Sequence, residues 1–170
     1  MTIRQGTIEE MLSLWYKFHT TEFFTENLKA GNAEFWTLER SGRLIGELYL
    51  FKRLPDPDFA DGTSTAYLYG FYIDERMRGK GYGTMLINRV LQRLTELGFR
   101  YATIGVRPDE KANIRLYERM GFTEKVKTTH INPCDVDEHF HPTHYPDYLL
   151  LRKTLQAGNL EFFTGKETKE

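Results

Sequence analysis

Between residues 66 and 97 the chain passes from "AYLYGFYI" through "RGKGYGT" into a long amphipathic stretch. The first run is dense in aromatic and β-branched residues and reads as a central strand. Gly70 within it marks a bulge or a close backbone approach. From Gly83 to Leu97, the residues Ile87, Val90, Leu91, Leu94 and Leu97 recur at three and four, the period of a helix with one buried face. Gly98 supplies the stop. "YATIGV" then alternates Ala102, Ile104 and Val106 against polar or small neighbours, as a strand does. A strand–helix–strand unit with parallel strands and a right-handed crossover is therefore predicted at the centre of the fold.

The remaining elements flank this unit. Residues 8–19 place Ile8, Met11, Leu12 and Trp15 on one helical face, and a second short helix is predicted from Phe23 to Leu28, stopped by Gly31. The stretch 33–54 reads as two strands joined at Ser41-Gly42, a hairpin signal. "PDPDFADGTS" at 55–64 reads as an exposed loop. Glu110 to Met120 is predicted helical, ended by Gly121. Strands near 122–130 and 145–153 follow, separated by a polar, His-rich loop. The expected fold class is α/β: one domain over residues 1–155, with a mixed sheet of about six to seven strands flanked by about four helices. Residues 156–170 are expected to form a loosely held tail.

Lys and Arg total 23 against 24 Asp and Glu, so the net charge of −1 gives no general attraction for nucleic acid or an anionic membrane. The single cysteine, Cys134, excludes an internal disulfide and suits a reducing compartment. No run approaches the roughly 20 apolar residues of a membrane span, and the N-terminus lacks the basic start and apolar run of a signal peptide. A cytoplasmic location is expected.

The glycines lie where a buried strand meets the first turn of a helix. There, unpaired N–H groups and the positive end of the helix dipole face outward, a natural anion site. Arg78 and Lys80 add charge, and Thr84 adds a hydroxyl. A nucleotide P-loop is excluded because Lys80 is followed by Gly81 rather than Ser or Thr. The dinucleotide fingerprint G-x-G-x-x-G is excluded because the spacing here is G-x-G-x-G.

Arg78, Gly81 and Gly83 do match the R/Q-x-x-G-x-G/A signature, and the segment resembles the GNAT superfamily of acyl-CoA-dependent acyltransferases. "FYIDERM" is similar to that family's fourth strand entering its pyrophosphate loop. Downstream, "NIRLYERMGF" resembles a second family segment through Asn113, Tyr117, Gly121 and Phe122. The close resemblance covers about residues 66 to 122.

This resemblance implies a GNAT-like fold and an N-acetyltransferase that moves acetyl from acetyl-CoA to a primary amine of a small molecule or peptide by direct attack. It implies that the CoA pyrophosphate rests on the amides of Gly79, Lys80, Gly81, Tyr82, Gly83 and Thr84 beside Arg78. It also implies that the pantetheine arm lies along Phe71, Tyr72 and Ile73, with a bulge at Gly70 opening a cleft toward 101–106. Asn113 would hold the arm, and Tyr117 would protonate the departing thiolate, as a phenol can because it keeps its proton at neutral pH. The base is left open between Glu47 and Tyr69, since the central strand carries no carboxylate before Asp74. A CoA-sensing or interaction module without turnover is the alternative reading.

His130, His139, His141 and His144 share one stretch with Cys134, Asp135, Asp137 and Glu138. Such a set offers metal ligands, and a metal-responsive regulator would use it. The spacing matches no closed zinc site, however, so no metal is expected. An acidic, aromatic acceptor-binding loop is the favoured reading, beside that of a plain exposed loop. Phe162 and Phe163 in the tail are candidates for a homodimer contact.

Overall fold

A computed structural model describes residues 1–14 and 19–156 of the chain. Their elements follow the predicted order: β1 (Thr2–Gln5), α1 (Ile8–Leu14), α2 (His19–Lys29), β2 (Ala33–Arg40), β3 (Arg43–Phe51), β4 (Thr65–Ile73), α3 (Tyr82–Glu96), β5 (Tyr101–Val106), α4 (Lys111–Arg119), β6 (Glu124–Val136) and β7 (Pro142–Thr154). One seven-stranded sheet has the order β1-β2-β3-β4-β5-β7-β6. Only the β4–β5 pairing is parallel, as the crossover through α3 requires; every other neighbour is antiparallel. Among the described residues no helix is long and apolar enough to cross a membrane.

The period-2 alternation of the strands sends apolar side chains to both faces of the sheet, which gives two cores. Leu86, Ile87, Val90, Leu91 and Leu94 of α3 and Tyr117 of α4 pack on one face with Leu48, Leu68, Ile104 and Phe122. Met11 of α1 and Phe24 of α2 pack on the other with Phe35, Tyr49, Phe51, Tyr67 and Tyr148. Ser41 and Gly42 both have positive φ, 51° and 74°, as the predicted two-residue hairpin turn demands.

Four sequence expectations are corrected. On the first helix, described over Ile8–Leu14, Leu12 is 48% exposed instead of joining Met11 in the core; Trp15 lies outside the described residues. The second helix is described over His19–Lys29 and so already covers residues ahead of the expected start at Phe23. The loop at 55–64 is not simply exposed: Phe59 and Ala60 are fully buried, and Thr103 donates a hydrogen bond to the Phe59 carbonyl at 2.6 Å. Lys127 bridges Asp56 and Asp58 at 2.6 and 3.0 Å, so the polar residues that suggested a free loop tie it to the sheet. Finally, the stretch between the last two strands is not a long loop. Both strands have 13 residues and reach almost to the turn at 137–141.

The detail that shapes the site lies in β4. Glu47 pairs with Tyr72 and Tyr49 with Tyr69, so Leu48 faces two residues, Gly70 and Phe71, across a bulge. Gly70 adopts φ +68°, the conformation expected for glycine at such a bulge. The parallel pairing of β4 with β5 runs from Thr65↔Tyr101 to Leu68↔Ile104 and goes no further. Beyond it the two strands diverge. Gly105 on β5 has the ring of Tyr148 against it, so closely that an added Cβ would overlap that ring. Gly105→Ala should therefore force the ring to move and cost about 1–3 kcal/mol, as overpacking of a filled core does. Calorimetric melting of the variant beside the parent chain measures this, and an unchanged melting temperature would contradict it.

Candidate functional site

The divergence of β4 and β5 opens a cleft of about 250 Å³. Leu68, Tyr69, Gly70 and Phe71 of β4 form one wall, and Ile104 and Gly105 of β5 form the other. Arg107, Glu110, Asn113 and Tyr117 close it on the α4 side, while Asn132, Asp135 and Tyr148 close it from β6 and β7. The Asp74 N–H bonds the Ile45 carbonyl of β3 at 2.8 Å. By alternation Tyr72 also faces β3, and the backbone groups of Phe71 and Ile73 point toward the cleft side. An extended ligand would find strand-edge donors and acceptors there.

The glycine loop follows directly. A short 3₁₀ turn, Glu75–Met77, is capped by Asp74, whose carboxylate accepts the Arg76 N–H. Gly79 and Gly81 have φ +73° and +82°, so both positions require the conformational freedom of glycine. Nothing lies within 4 Å of a Cβ built at either. Gly83 differs: its absent Cβ would meet the Phe71 ring at 2.8 Å, so this glycine lets α3 seat against the cleft wall. Gly81 caps α3 without a side-chain hydrogen bond, and the first helical bond is Met85 N–H to Gly81 carbonyl at 3.1 Å. The amides of Tyr82, Gly83 and Thr84 therefore lack intrahelical partners and carry the positive end of the helix dipole.

Around these amides the side chains brace the loop. Arg78 Nε donates to the Ile73 carbonyl at 2.9 Å, and its guanidinium lies over the Tyr72 ring at 5.5 Å. Lys80 Nζ reaches the Arg76 carbonyl at 3.3 Å. Tyr82 packs on the core and accepts a hydrogen bond from Arg40 at 2.9 Å. Gly79, Lys80, Gly81 and Thr84 are all solvent-exposed. An open nest of amides with two flanking cations can hold a diphosphate without any rearrangement of the backbone.

Tyr117 is 5% exposed yet lines the cleft, and burial pushes its phenol pKa up, with Glu110 adding to the shift. Its ring stands edge-on to Phe71 and to Phe122, each 6.3 Å between centroids. Phe71 thus touches both the first turn of α3 and Tyr117, which links the amide nest to the buried phenol. Asn113, one helical turn before Tyr117, lines the same space. Glu110 is held at the head of α4 by the Arg107 N–H at 2.9 Å.

Of the two base candidates, the structure brings only Tyr69 into the cleft. Glu47 sits on β3 opposite Thr37 and Tyr72 and is not part of the cleft lining. Tyr69 donates to Asp135 Oδ1 at 2.7 Å. Asp135 figured in the sequence only among the acidic residues of the His-rich stretch, and its placement is set by a distortion of β6. Asn132 pairs with Thr143 and Val136 with Pro142, so residues 133–135 are an insertion of β6 between two successive pairs and leave the register. Asn132 Oδ1 accepts the Cys134 N–H at 3.0 Å, and Thr143 donates to the Asp135 carbonyl at 3.0 Å. Cys134 is buried in the second core as a result. Beside it, Tyr148 bonds both Tyr67, at 3.1 Å, and Asn132 Nδ2, at 3.1 Å. Neither Asn132 nor Tyr148 was singled out in the sequence; Pro133 interrupts the alternation that would have marked the strand of Asn132.

The histidines stay outside. His130, His139 and His141 are 67–76% exposed, and each lies near one carboxylate, Asp147, Glu138 and Asp137 respectively. Among the described residues no three His, Cys, Asp or Glu side chains gather as metal ligands.

Comparison with known proteins agrees with this geometry. Residues 4–122, well over half the chain, match the acetyltransferase (GNAT) family profile. A mycothiol acetyltransferase of Geodermatophilus obscurus is 29% identical over 139 residues, which is 72% of this chain and 43% of that protein. A spermine/spermidine N(1)-acetyltransferase of Bacillus subtilis is 32% identical over 82 residues, 48% of this chain and 53% of that protein. The chain thus spans about half the length of these curated relatives, and 26% of an uncharacterized N-acetyltransferase of Methanocaldococcus jannaschii at 35% identity over 60 residues, 35% of this chain. Among solved structures, a GNAT family acetyltransferase from Elizabethkingia anophelis with acetyl-CoA bound superposes with a TM-score of 0.63 at 19% identity, covering 91% of this chain and 97% of that one. A ribosomal-protein-alanine N-acetyltransferase from Brucella melitensis superposes with a TM-score of 0.68 at 18% identity, covering 91% and 100%. With a split sheet, a glycine nest at its helix and a family profile that spans both, the chain belongs to the GNAT family of acetyltransferases.

Proposed function

We propose that the protein is an N-acetyltransferase that uses acetyl-CoA as cosubstrate and a primary amine as acceptor. One observation carries this reading: the bare amides at the start of α3 and the unpaired edge of β4 adjoin a cleft walled by a buried tyrosine. Family membership supports it. The residues fit coenzyme A, because its anionic and extended parts each meet complementary groups of this chain.

In this reading the amides of Gly79, Lys80, Gly81, Tyr82, Gly83 and Thr84 hold the pyrophosphate, with Arg78 and Lys80 supplying charge. Phe71, Tyr72 and Ile73 present the strand edge that the pantetheine arm follows, and Asn113 steadies it through its amide. When bound, acetyl-CoA supplies an activated acyl carbon. Tyr117 holds its proton because burial disfavours phenolate, and it delivers that proton to the departing sulfur. Residues 1–155 act as one catalytic unit. A cytoplasmic location suits the lone, buried Cys134, which needs no oxidising compartment.

Tyr117→Phe removes the proton donor while keeping the ring against Phe71 and Phe122. It should lower kcat on the order of 100-fold while leaving the acetyl-CoA dissociation constant unchanged; thiol-release kinetics and calorimetry read the two quantities separately. Because the phenol pKa is raised, its loss of proton should not limit the parent rate until pH exceeds the ordinary tyrosine value near 10. An alkaline fall in rate that disappears in the Tyr117→Phe variant, well below that pH, would contradict the assignment. Gly81→Val places a branched side chain at φ +82° and distorts the nest. It should weaken acetyl-CoA binding by about tenfold or more, and equal affinity in the two proteins would count against the amide site.

A further inference from the structure

Resting on the reading above, we infer that Asp135, oriented by the Tyr69 hydroxyl, is the acceptor subsite: it binds a primary alkylammonium end and takes its proton before acyl transfer.

Four observations converge on this carboxylate. It lines the same cleft as Tyr117, but from β6, on the opposite side of the β4–β5 split. Tyr117 belongs to the core on one face of the sheet, whereas Cys134, next to Asp135 in the chain, belongs to the core on the other. The carboxylate and the phenol therefore approach the shared cleft from different faces. Secondly, the position of Asp135 is built. Residues 133–135 leave the β6–β7 register, and hydrogen bonds from the Cys134 N–H to Asn132 and from Thr143 to the Asp135 carbonyl fix the excursion. Burial of Cys134 and Val136 on either side anchors it. Thirdly, Tyr69 donates to one carboxylate oxygen at 2.7 Å. A phenol donor holds the carboxylate in one orientation, and a carboxylate has about four lone-pair sites to share among partners. Fourthly, the walls beside it are aromatic rings, those of Tyr69, Tyr148 and Phe71. Ring faces favour an ammonium group near a desolvated carboxylate.

Among the described residues, the charged groups lining the cleft are Arg107, Glu110 and Asp135. Arg107 is itself paired with Asp109 at 3.3 Å, which leaves the cleft's balance negative and suited to a cation. A cleft of about 250 Å³ that also admits a thioester has room for the end of one alkyl chain. The ammonium could be that of a free polyamine or of a lysine side chain; both present the same group.

The step balances as follows. The acceptor R–NH₃⁺ gives one proton to the Asp135 carboxylate and becomes R–NH₂. Its lone pair forms the C–N bond at the acyl carbon, the C–S bond breaks, and the electron pair leaves on sulfur. Tyr117 gives its proton to that sulfur, and the second nitrogen proton restores the phenol. Asp135 then returns its proton to solvent. The products are the amide, free thiol and one proton, and no oxidant or reductant is needed.

The test uses the full chain with n-butylamine, spermidine and an Nα-blocked lysine peptide as cationic probes, and aniline as an amine neutral at pH 7. For the best cationic probe, Asp135→Asn should lower kcat/KM by about 10- to 100-fold, the range for losing a charged hydrogen-bond partner. Binding of that amine to the enzyme–CoA complex, measured by calorimetry, should weaken to a similar degree while CoA affinity holds. Any transfer to aniline should change far less. Tyr69→Phe should cause a smaller loss and shift the acidic limb of the rate profile, which a purely structural role would not do. Equal amine affinity and kcat/KM in Asp135→Asn and parent overturns the inference even if acetyl-CoA still binds. Thiol release with aniline alone, or with none of the cationic probes, overturns it as well. Failure of acetyl-CoA to bind the parent chain would instead bring down the underlying reading, so the two failures are distinguishable. Preference for spermidine or for the peptide identifies the source of the ammonium.

Discussion

The organisation of the molecule depends on one interrupted pairing. Two parallel strands bond from Thr65↔Tyr101 to Leu68↔Ile104 and then part. A sheet does not give up backbone hydrogen bonds without a cause, because buried N–H and C=O groups left unpaired are costly. The cause here is the bulge at Gly70, which puts two residues of β4 against Leu48 and turns the strand away from its neighbour. On β5 the lack of a side chain at Gly105 admits the ring of Tyr148 to the gap. Two glycines, one acting through φ and one through volume, therefore create the cleft.

The strand edge and the amides proposed for the acyl donor lie on the strand that bends and its continuation, while Asn113 and Tyr117 come from α4. The loop after β4 needs left-handed backbone at Gly79 and Gly81, and Gly83 lets α3 sit against Phe71. The buried apolar face of α3, from Leu86 to Leu94, fixes that helix on the sheet, so its first turn is aimed by the core rather than by the loop. The amides are consequently preorganised, and a ligand need not supply the energy to order them. Phe71 connects the helix start with Tyr117, which ties the donor site to the chemistry through one aromatic contact at each end.

The elements proposed to receive the acyl donor were legible in the sequence because their signals are local. Glycine spacing, the three-four periodicity of α3 and the Asn113–Tyr117 interval each lie within one element or one turn. The elements proposed for the acceptor were not. Tyr69 and Asp135 are 66 positions apart, and the excursion that brings Asp135 inward is a departure from strand register. Asn132 and Pro133 look like loop residues, so the stretch from 130 to 144 reads as a polar loop, whereas β6 runs on to Val136 and β7 already starts at Pro142. For the same reason Phe59, set among Pro, Asp and Gly, gives no local sign that it fills the second core. Leu12 fails in the opposite sense: helical spacing placed it with Met11, but on α1 it is 48% exposed while Met11 is buried.

The central claim is that specific backbone amides, rather than side chains alone, receive the acyl donor. Amide-resolved NMR of the chain with and without coenzyme A tests it most directly. The account predicts shifted and exchange-protected amides at Phe71, Ile73 and Gly79 through Thr84, with little change on β1 and β2. Binding that leaves those amides untouched, or perturbs only the exposed surface of the β6–β7 hairpin, would contradict it.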